Sequence, residues 1–259
     1  MRFFKDLKRY YKYVTKSAGA QLKSEVANSY LSWAWWILDP LLFMLVYTFI
    51  SKIVFQSTVE YFQVFVFIGL TLWTFFDKSI TQSITLLRAN AGIITKIYVP
   101  KQILILQKMF VNGFKMMVSL VLIFILMLLF RAPYTWYILY CIPHFILLFV
   151  FTFGACSILM HFGVFVNDLQ NVIAVLLRLV FYMSGIFYDI SKAIPFPYSS
   201  WLVIGNPVAL CIQGCRNAFL YQTPPNWKYV SIWMGISIFL TVIGTMLVYR
   251  YENSYGKVL

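Results

Sequence analysis

Runs of apolar side chains long enough to cross a bilayer recur along this chain, and that recurrence leaves few folds open. They cover residues 32–55, 62–87, 103–130, 136–166, 172–188 and 229–249. A spanning helix needs about 20 mostly apolar residues. Backbone groups in lipid must bond within the segment or a closed barrel. The strand-like alternation of a barrel is missing here. The sequence therefore predicts an all-α integral membrane protein with six transmembrane helices in a single transmembrane domain, 1–259. Composition agrees: 61% of the residues are hydrophobic and 11% charged, against about 25% charged in soluble domains.

The net charge of +13 would suggest nucleic acid in a soluble protein. In a membrane protein it reads instead as the Lys/Arg excess of cytoplasmic loops, so no nucleic-acid partner is expected. Bases cluster between Arg2 and Lys23, after the second run (Arg88, Lys96, Lys101, Lys108, Lys115) and at Arg250 and Lys257. Both termini are thus expected on the cytoplasmic side. The first 25 residues are basic and aromatic without a continuous apolar core, which is not the pattern of a secretory signal.

Residues 1–26 read as an amphipathic interface helix. Phe4, Leu7, Tyr11, Val14 and Ala18 recur at helical spacing, with Lys5, Lys8, Lys12 and Lys16 on a neighbouring face. Residues 189–228 lie between the last two runs and hold apolar pieces too short to cross. Asn206-Pro207 marks a turn and helix start there. Short re-entrant or surface helices on the outer side are expected.

Chemistry-bearing sets are scarce. There is no HExxH and no Ser-His-Asp pattern, and Tyr255-Gly256-Lys257-Val258 lacks the glycine and the Ser/Thr of a phosphate-binding loop. The chain is expected to be no enzyme and to hold no metal or cofactor. His144 and His161 read as packed polar contacts, and the four cysteines as small packing residues. Asp77 and Lys78 could serve a proton-coupled carrier, but neighbours on a helix point about 100° apart.

Between the second and third runs stands RANAGIITKIYVPKQ, residues 88–102: three bases, no acid, and apolar side chains between. An ordinary basic inner loop would look like this. So would a segment that docks into a groove of another protein.

Several motifs in order resemble one family. They are Trp35, Leu38, Pro40 and Leu41 in LSWAWWILDPLLF; Gly69, Trp73, Phe75 and Phe76 in GLTLWTFF; and Asn90, Ile93, Ile94, Lys96, Tyr98, Pro100, Ile103 and Leu104. Asp168, MSGIFYDI, then Asn206, Pro207, Ile212 and Arg216, and finally Arg250 and Glu252 follow. Departures are Asp39, Leu72, Gln102, Gly185 (where the family has a proline) and Lys257. The pattern resembles the permeases, or membrane subunits, of type-2 ABC transporters that export O-antigen, capsular polysaccharide or teichoic acid.

The resemblance implies a homodimer with two ATP-binding cassette subunits, which would bind the ATP and Mg, and a lipid-linked glycan as cargo. It implies that 88–102 couples to the ATPase through Asn90, Ile93, Ile94, Lys96, Tyr98 and Pro100. It also implies that the first and fifth spans line the conduit. Aromatics suit a sugar path: Trp33, Trp36, Phe43 and Tyr47 in the first, and Phe181, Tyr182, Phe187 and Tyr188 in the fifth. Trp and Tyr also gather at bilayer interfaces without any such role. Lys16, Lys23 and Arg88 could hold a lipid pyrophosphate, or simply attract anionic membrane lipid. Export of drugs or small lipids, and a membrane glycosyltransferase or polymerase, are the rival readings. The second expects outer acids, of which 189–228 offers Asp189 alone.

Overall fold

The structure is a computed structural model that describes residues 2–27, 32–50, 59–94, 96 and 98–258; of Ser32, Trp33, Ile93, Lys257 and Val258 only the backbone is described. The described residues form helices and no strand. In chain order these are α1 (Arg2–Ala27), α2 (Ser32–Phe49), α3 (Phe62–Ala89), the single turn α4 (Ala91–Ile94) and α5 (Lys101–Leu129). A 3-10 turn (Trp136–Tyr140) leads into α6 (Cys141–Phe165), followed by α7 (Leu169–Met183). Then come α8 (Ile190–Ala193), α9 (Tyr198–Gly205), α10 (Pro207–Arg216), a π turn (Asn217–Tyr221), α11 (Trp227–Arg250) and α12 (Glu252–Val258).

Four helical stretches are long and apolar enough to cross a membrane: α3, α5, α6 with its leading turn, and α11. The apolar helices α2 and α7 are shorter. At about 1.5 Å per residue, the 15 residues of α7 reach about 22 Å, less than a hydrocarbon core of about 30 Å. The expected fifth span, 172–188, ends early because the chain turns at Ser184-Gly185. Gly185 has φ +62°, and Ile190 packs where a Cβ would stand. A proline, fixed near −65°, could not make this turn. The expected first span ran to 55, and its last residues lie outside the described ones.

α3 is the central helix. Phe62, Phe65, Phe67, Ile68 and Leu72 are fully buried, and it meets α2, α5, α6, α7 and α10. Lipid offers no hydrophobic drive between helices, so close backbone approach matters more. Gly154 of α6 and Gly244 of α11 supply it: a Cβ on Gly154 would lie 2.8 Å from the Thr241 backbone nitrogen.

α1 packs along α5 with a stripe of Phe3, Tyr10, Val14 and Ala18. Of the expected apolar face, Val14 and Ala18 are buried, and Phe4 and Tyr11 are 67% and 52% exposed. They stand one position round the helix from the packed stripe, which leaves α1 with a packed, an apolar exposed and a basic face.

Replacing Gly154 by Leu should cost about 1–3 kcal/mol through overpacking, read as a lower thermal midpoint in detergent. Gly19→Ala, where a Cβ meets nothing within 4 Å, should not lower it.

Candidate functional site

α2, α3 and α7 enclose a cavity of about 500 Å³ lined by Phe43, Tyr47, Trp73, Asp77, Thr81, Ala174, Leu177, Arg178, Phe181 and Tyr182. Four of the eight aromatics picked from the sequence line it, and Phe187 stands directly against them. The Tyr47 and Phe187 rings stack with centroids 3.4 Å apart, and Phe43 stacks on Tyr47 at 6.3 Å. Phe187 meets Phe181 edge-on at 5.2 Å, and Phe181 meets Trp73 at 5.3 Å. Tyr188 donates its hydroxyl to the Tyr182 carbonyl at 2.8 Å. The side chain of Trp33 lies outside the described residues.

Trp36 stands elsewhere. It lines a second cavity, about 310 Å³, between α2, α3 and α5, with Trp35, Asp39, Thr71, Lys78, Gln82, Asn112 and Lys115 among its neighbours. The two cavities flank α3 on different sides. Asp77 opens towards α7 and Lys78 towards α5, as a step of about 100° between helical neighbours requires. Asp77 shares its cavity with Arg178, and among the described residues the two form no ion pair.

One end of the aromatic cavity is held by Arg216. This fully buried side chain donates from Nε to the Phe65 carbonyl at 3.1 Å, from Nη1 to that of Gly185 at 2.8 Å and from Nη2 to that of Ile186 at 2.7 Å. Its guanidinium also lies 3.4 Å from the Phe65 ring centroid. Gly69 leaves room for it, since a Cβ there would approach Nη2 to 2.8 Å. Asn206 caps α10 by accepting from Val208 and Ala209 nitrogens, and it donates to Ser184 Oγ at 2.9 Å. α10 and its cap therefore grip both the turn after α7 and the start of α3.

At the other end, α3 stops at Asn90, whose side chain donates to the Leu86 carbonyl at 2.7 Å. Pro100 begins α5 as its N-cap. Between them Ile94 is buried in the chain's own core, whereas Lys96 and Tyr98 are exposed. The side chain of Ile93 lies outside the described residues. Tyr98 accepts from Arg2, which also donates to Glu252 at 2.8 Å. Asp6 joins by accepting from Tyr249 at 2.8 Å. Burial, followed by Glu252, holds the Tyr98 phenol above its ordinary pKa, so it stays protonated at neutral pH. Lys16 and Lys23 are exposed on the basic face of α1. Arg88 is exposed and donates to the Val164 carbonyl at the end of α6, at 2.9 Å.

Both histidines have partners: His144 Nδ1 pairs with the Tyr140 carbonyl and His161 Nδ1 with the Tyr255 hydroxyl, each at 2.8 Å. The four cysteines are free and buried. Among the described residues no three His, Cys, Asp or Glu gather as metal ligands.

Two proteins from Klebsiella pneumoniae, both named O-antigen export system permease protein RfbA, are each 29% identical to this chain, over 92% of it and 91% of their own length. One of the same name from Myxococcus xanthus is 24% identical over 93% of this chain and 92% of its own. The chain is a relative of the O-antigen export permeases. No family model matches it.

Sequence reading passed over Trp73 and Arg178 as parts of the aromatic cavity. The sequence marks Trp73 as a motif residue and gives it no link to Arg178; only the approach of α7 to α3 joins them. Arg216 had also been read as a motif residue, and nothing in sequence could name its carbonyl partners.

Arg216→Gln should leave buried carbonyls unpartnered and cost about 3 kcal/mol or more, measured as a large fall in thermal midpoint. Arg216→Lys should recover little of it, since an ammonium cannot match the fork of the guanidinium.

Proposed function

We propose that this chain is the membrane subunit of an ABC exporter that carries lipid-linked cell-surface polysaccharide across a bacterial cytoplasmic membrane. The observation that carries the reading is the whole-length relationship to proteins named as O-antigen export permeases. ATP hydrolysis takes place in two separate cassette subunits, which bind ATP and Mg. Two copies of this chain pair around a twofold axis. Six helices cross the membrane, with α2 and α7 as the two short spans, and the helices from α8 to α10 dip back from the outer side. Both termini are cytoplasmic.

Geometry supports the roles. α2 and α7 present exposed apolar faces, including Leu42, Leu45, Val46, Val175, Leu176 and Leu179, which a partner copy and lipid would cover. The stacked rings of Phe43, Tyr47, Phe187 and Phe181 offer flat apolar faces that pack on sugars without selecting one linkage. Asp77 and Arg178 add hydrogen-bonding groups for hydroxyls. A drug or small-lipid exporter would share the dimer and the ATPase but has no relative here to support it. A teichoic acid would be tested as cargo in the same assay.

The coupling role falls on the exposed part of 88–102. Ile94 is packed inside the chain, so Lys96 and Tyr98 are the residues that offer themselves to the ATPase. Tyr98→Asp should lower the ATPase recovered with the tagged chain about tenfold while the amount of folded chain is unchanged. Recovery of undiminished ATPase would overturn the assignment. Phe187→Ala should lower export of lipid-linked glycan with the ATPase still bound; export at the normal rate would remove the aromatic stack from the path. Substrate-stimulated hydrolysis by drugs, and none by lipid-linked sugar, would replace the polysaccharide reading with the rival one.

A further inference from the structure

A third cavity, of about 310 Å³, lies at the end of the bundle where α6 and α11 begin. α9, α10 and the residues just before α11 complete its wall. The other two cavities hold acids and bases: Asp39, Lys78 and Lys115 in one, Asp77 and Arg178 in the other. Among the described residues, no charged side chain lines this one. Its polar groups are neutral hydroxyls, side-chain amides and one imidazole.

Much of their bonding capacity is unused. His144 of α6 is 1% exposed. Its Nδ1 faces the Tyr140 carbonyl at 2.8 Å. A carbonyl only accepts, so Nδ1 carries the proton and Nε2 of the neutral ring is an acceptor. Nε2 has no partner among the described residues, and it lies against Gly214, where a Cβ would overlap it. Ser199 of α9 is 9% exposed, and its hydroxyl is unpartnered among the same residues. Neither atom is sealed off; both keep surface open to the cavity. Gln213 donates to Asn217 at 3.4 Å, which leaves the Gln213 carbonyl and the Asn217 N–H groups free. Asn226 and Tyr229, at the start of α11, make no side-chain hydrogen bond among the described residues.

These features restrict the occupant. An ion would meet no counter-charge, and an acyl chain would leave the polar groups unpaired. A sugar ring carries several adjacent hydroxyls, each a donor and an acceptor, to match a lining of both kinds. Tyr229, also in the wall, brings an aromatic ring on which sugar faces pack. The volume is at the small end of ligand sites, which run from about 300 to 1,000 Å³. It suits one ring rather than a chain of them.

We propose that this cavity binds one uncharged pyranose unit of the emerging glycan. Ring hydroxyls donate to His144 Nε2 and the Gln213 carbonyl, and accept from Ser199 and Asn226. The choice of a sugar over another neutral polyol rests on the export reading, whose orientation puts this end of the bundle on the outer side. A sugar held here bridges α9 and α10 to the starts of α6 and α11.

Saturation-transfer NMR on the full chain in lipid nanodiscs, with no sugar-headed detergent, tests this without ATPase or export. The probes are methyl mannopyranoside, methyl glucopyranoside, glucuronate and the open-chain polyol sorbitol. A neutral glycoside should bind at least about tenfold better than glucuronate or sorbitol. Ser200→Phe, at a half-buried position of the wall, should fill the space and remove the signal in a chain that elutes like the wild type. Ser199→Ala should weaken binding about threefold or more. No transfer to either glycoside would overturn the proposal, and so would equal transfer to sorbitol or to glucuronate. Transfer at wild-type strength in Ser200→Phe would also overturn it, since the sugar would then sit elsewhere, as in the aromatic cavity. The export reading survives each of these results. Conversely, a chain that binds the glycosides but exports no glycan keeps the site and loses the cargo assignment.

Discussion

A buried guanidinium, with no carboxylate in direct contact among the described residues, ties α10 to α3 and to the turn after α7. Arg216 remains charged in a place where an unpaired charge would be very costly. Three backbone carbonyls from two separate parts of the chain, Phe65 and the pair Gly185-Ile186, satisfy it, and Asp189 adds attraction from a distance. The carbonyls it takes are ones that helices could not use. Gly185 and Ile186 lie in the turn after α7, where no following helical turn reaches back to them. One side chain thus ties the turn that Gly185 makes after α7 to α10 and α3, one residue short of Phe187.

That anchoring leaves α3 as a dividing wall. Asp77 and Lys78, adjacent in sequence, line different cavities, Asp77 with Arg178 of α7 and Lys78 with Asp39 of α2. α2 reaches both cavities because it crosses α3. Trp36, Phe43 and Tyr47, seven and four residues apart, share a helix face by periodicity. The crossing sends the N-terminal part of that face towards α5 and the C-terminal part towards α7.

What sequence could convey divides along the same lines. The long apolar runs became α3, α5, α6 and α11 with ends within a few residues, because length and hydropathy act locally. Asn206-Pro207 became a capped helix start for the same reason. α7 fell short of its run because one left-handed glycine interrupts a stretch that hydropathy reads as continuous. The aromatics chosen for α2 and α7 were legible as residues but not as a stack. Their grouping depends on how α7 lies against α3, and Trp36 shows that helix periodicity does not name the neighbour. On α1, Val14 and Ala18 are buried while Phe4 and Tyr11 stay exposed, a division within one apolar face that hydropathy does not convey.

The end of the bundle where α1, the loop before α5 and α12 meet shows the least legible arrangement. Arg2 joins Tyr98 and Glu252, residues far apart in sequence from the N-terminal helix, the loop before α5 and the C-terminal helix. Arg2 is half exposed while Glu252 is buried, so the bond ties a surface side chain to one held inside the fold. Tyr98 is about half exposed, yet its hydroxyl is bonded inward. On the export reading, a force applied to Tyr98 reaches α1 through Arg2 and α12 through Glu252, while Pro100 passes it directly into α5. α1 in turn grips α5 further along, where Gln21 accepts from Gln107 and Lys108 and Glu25 accepts from Lys115. The loop and the surface helix are therefore linked to α5 at both ends of α1. On the export reading, a push at Tyr98 would thus reach α5 by two routes, directly through Pro100 and through α1.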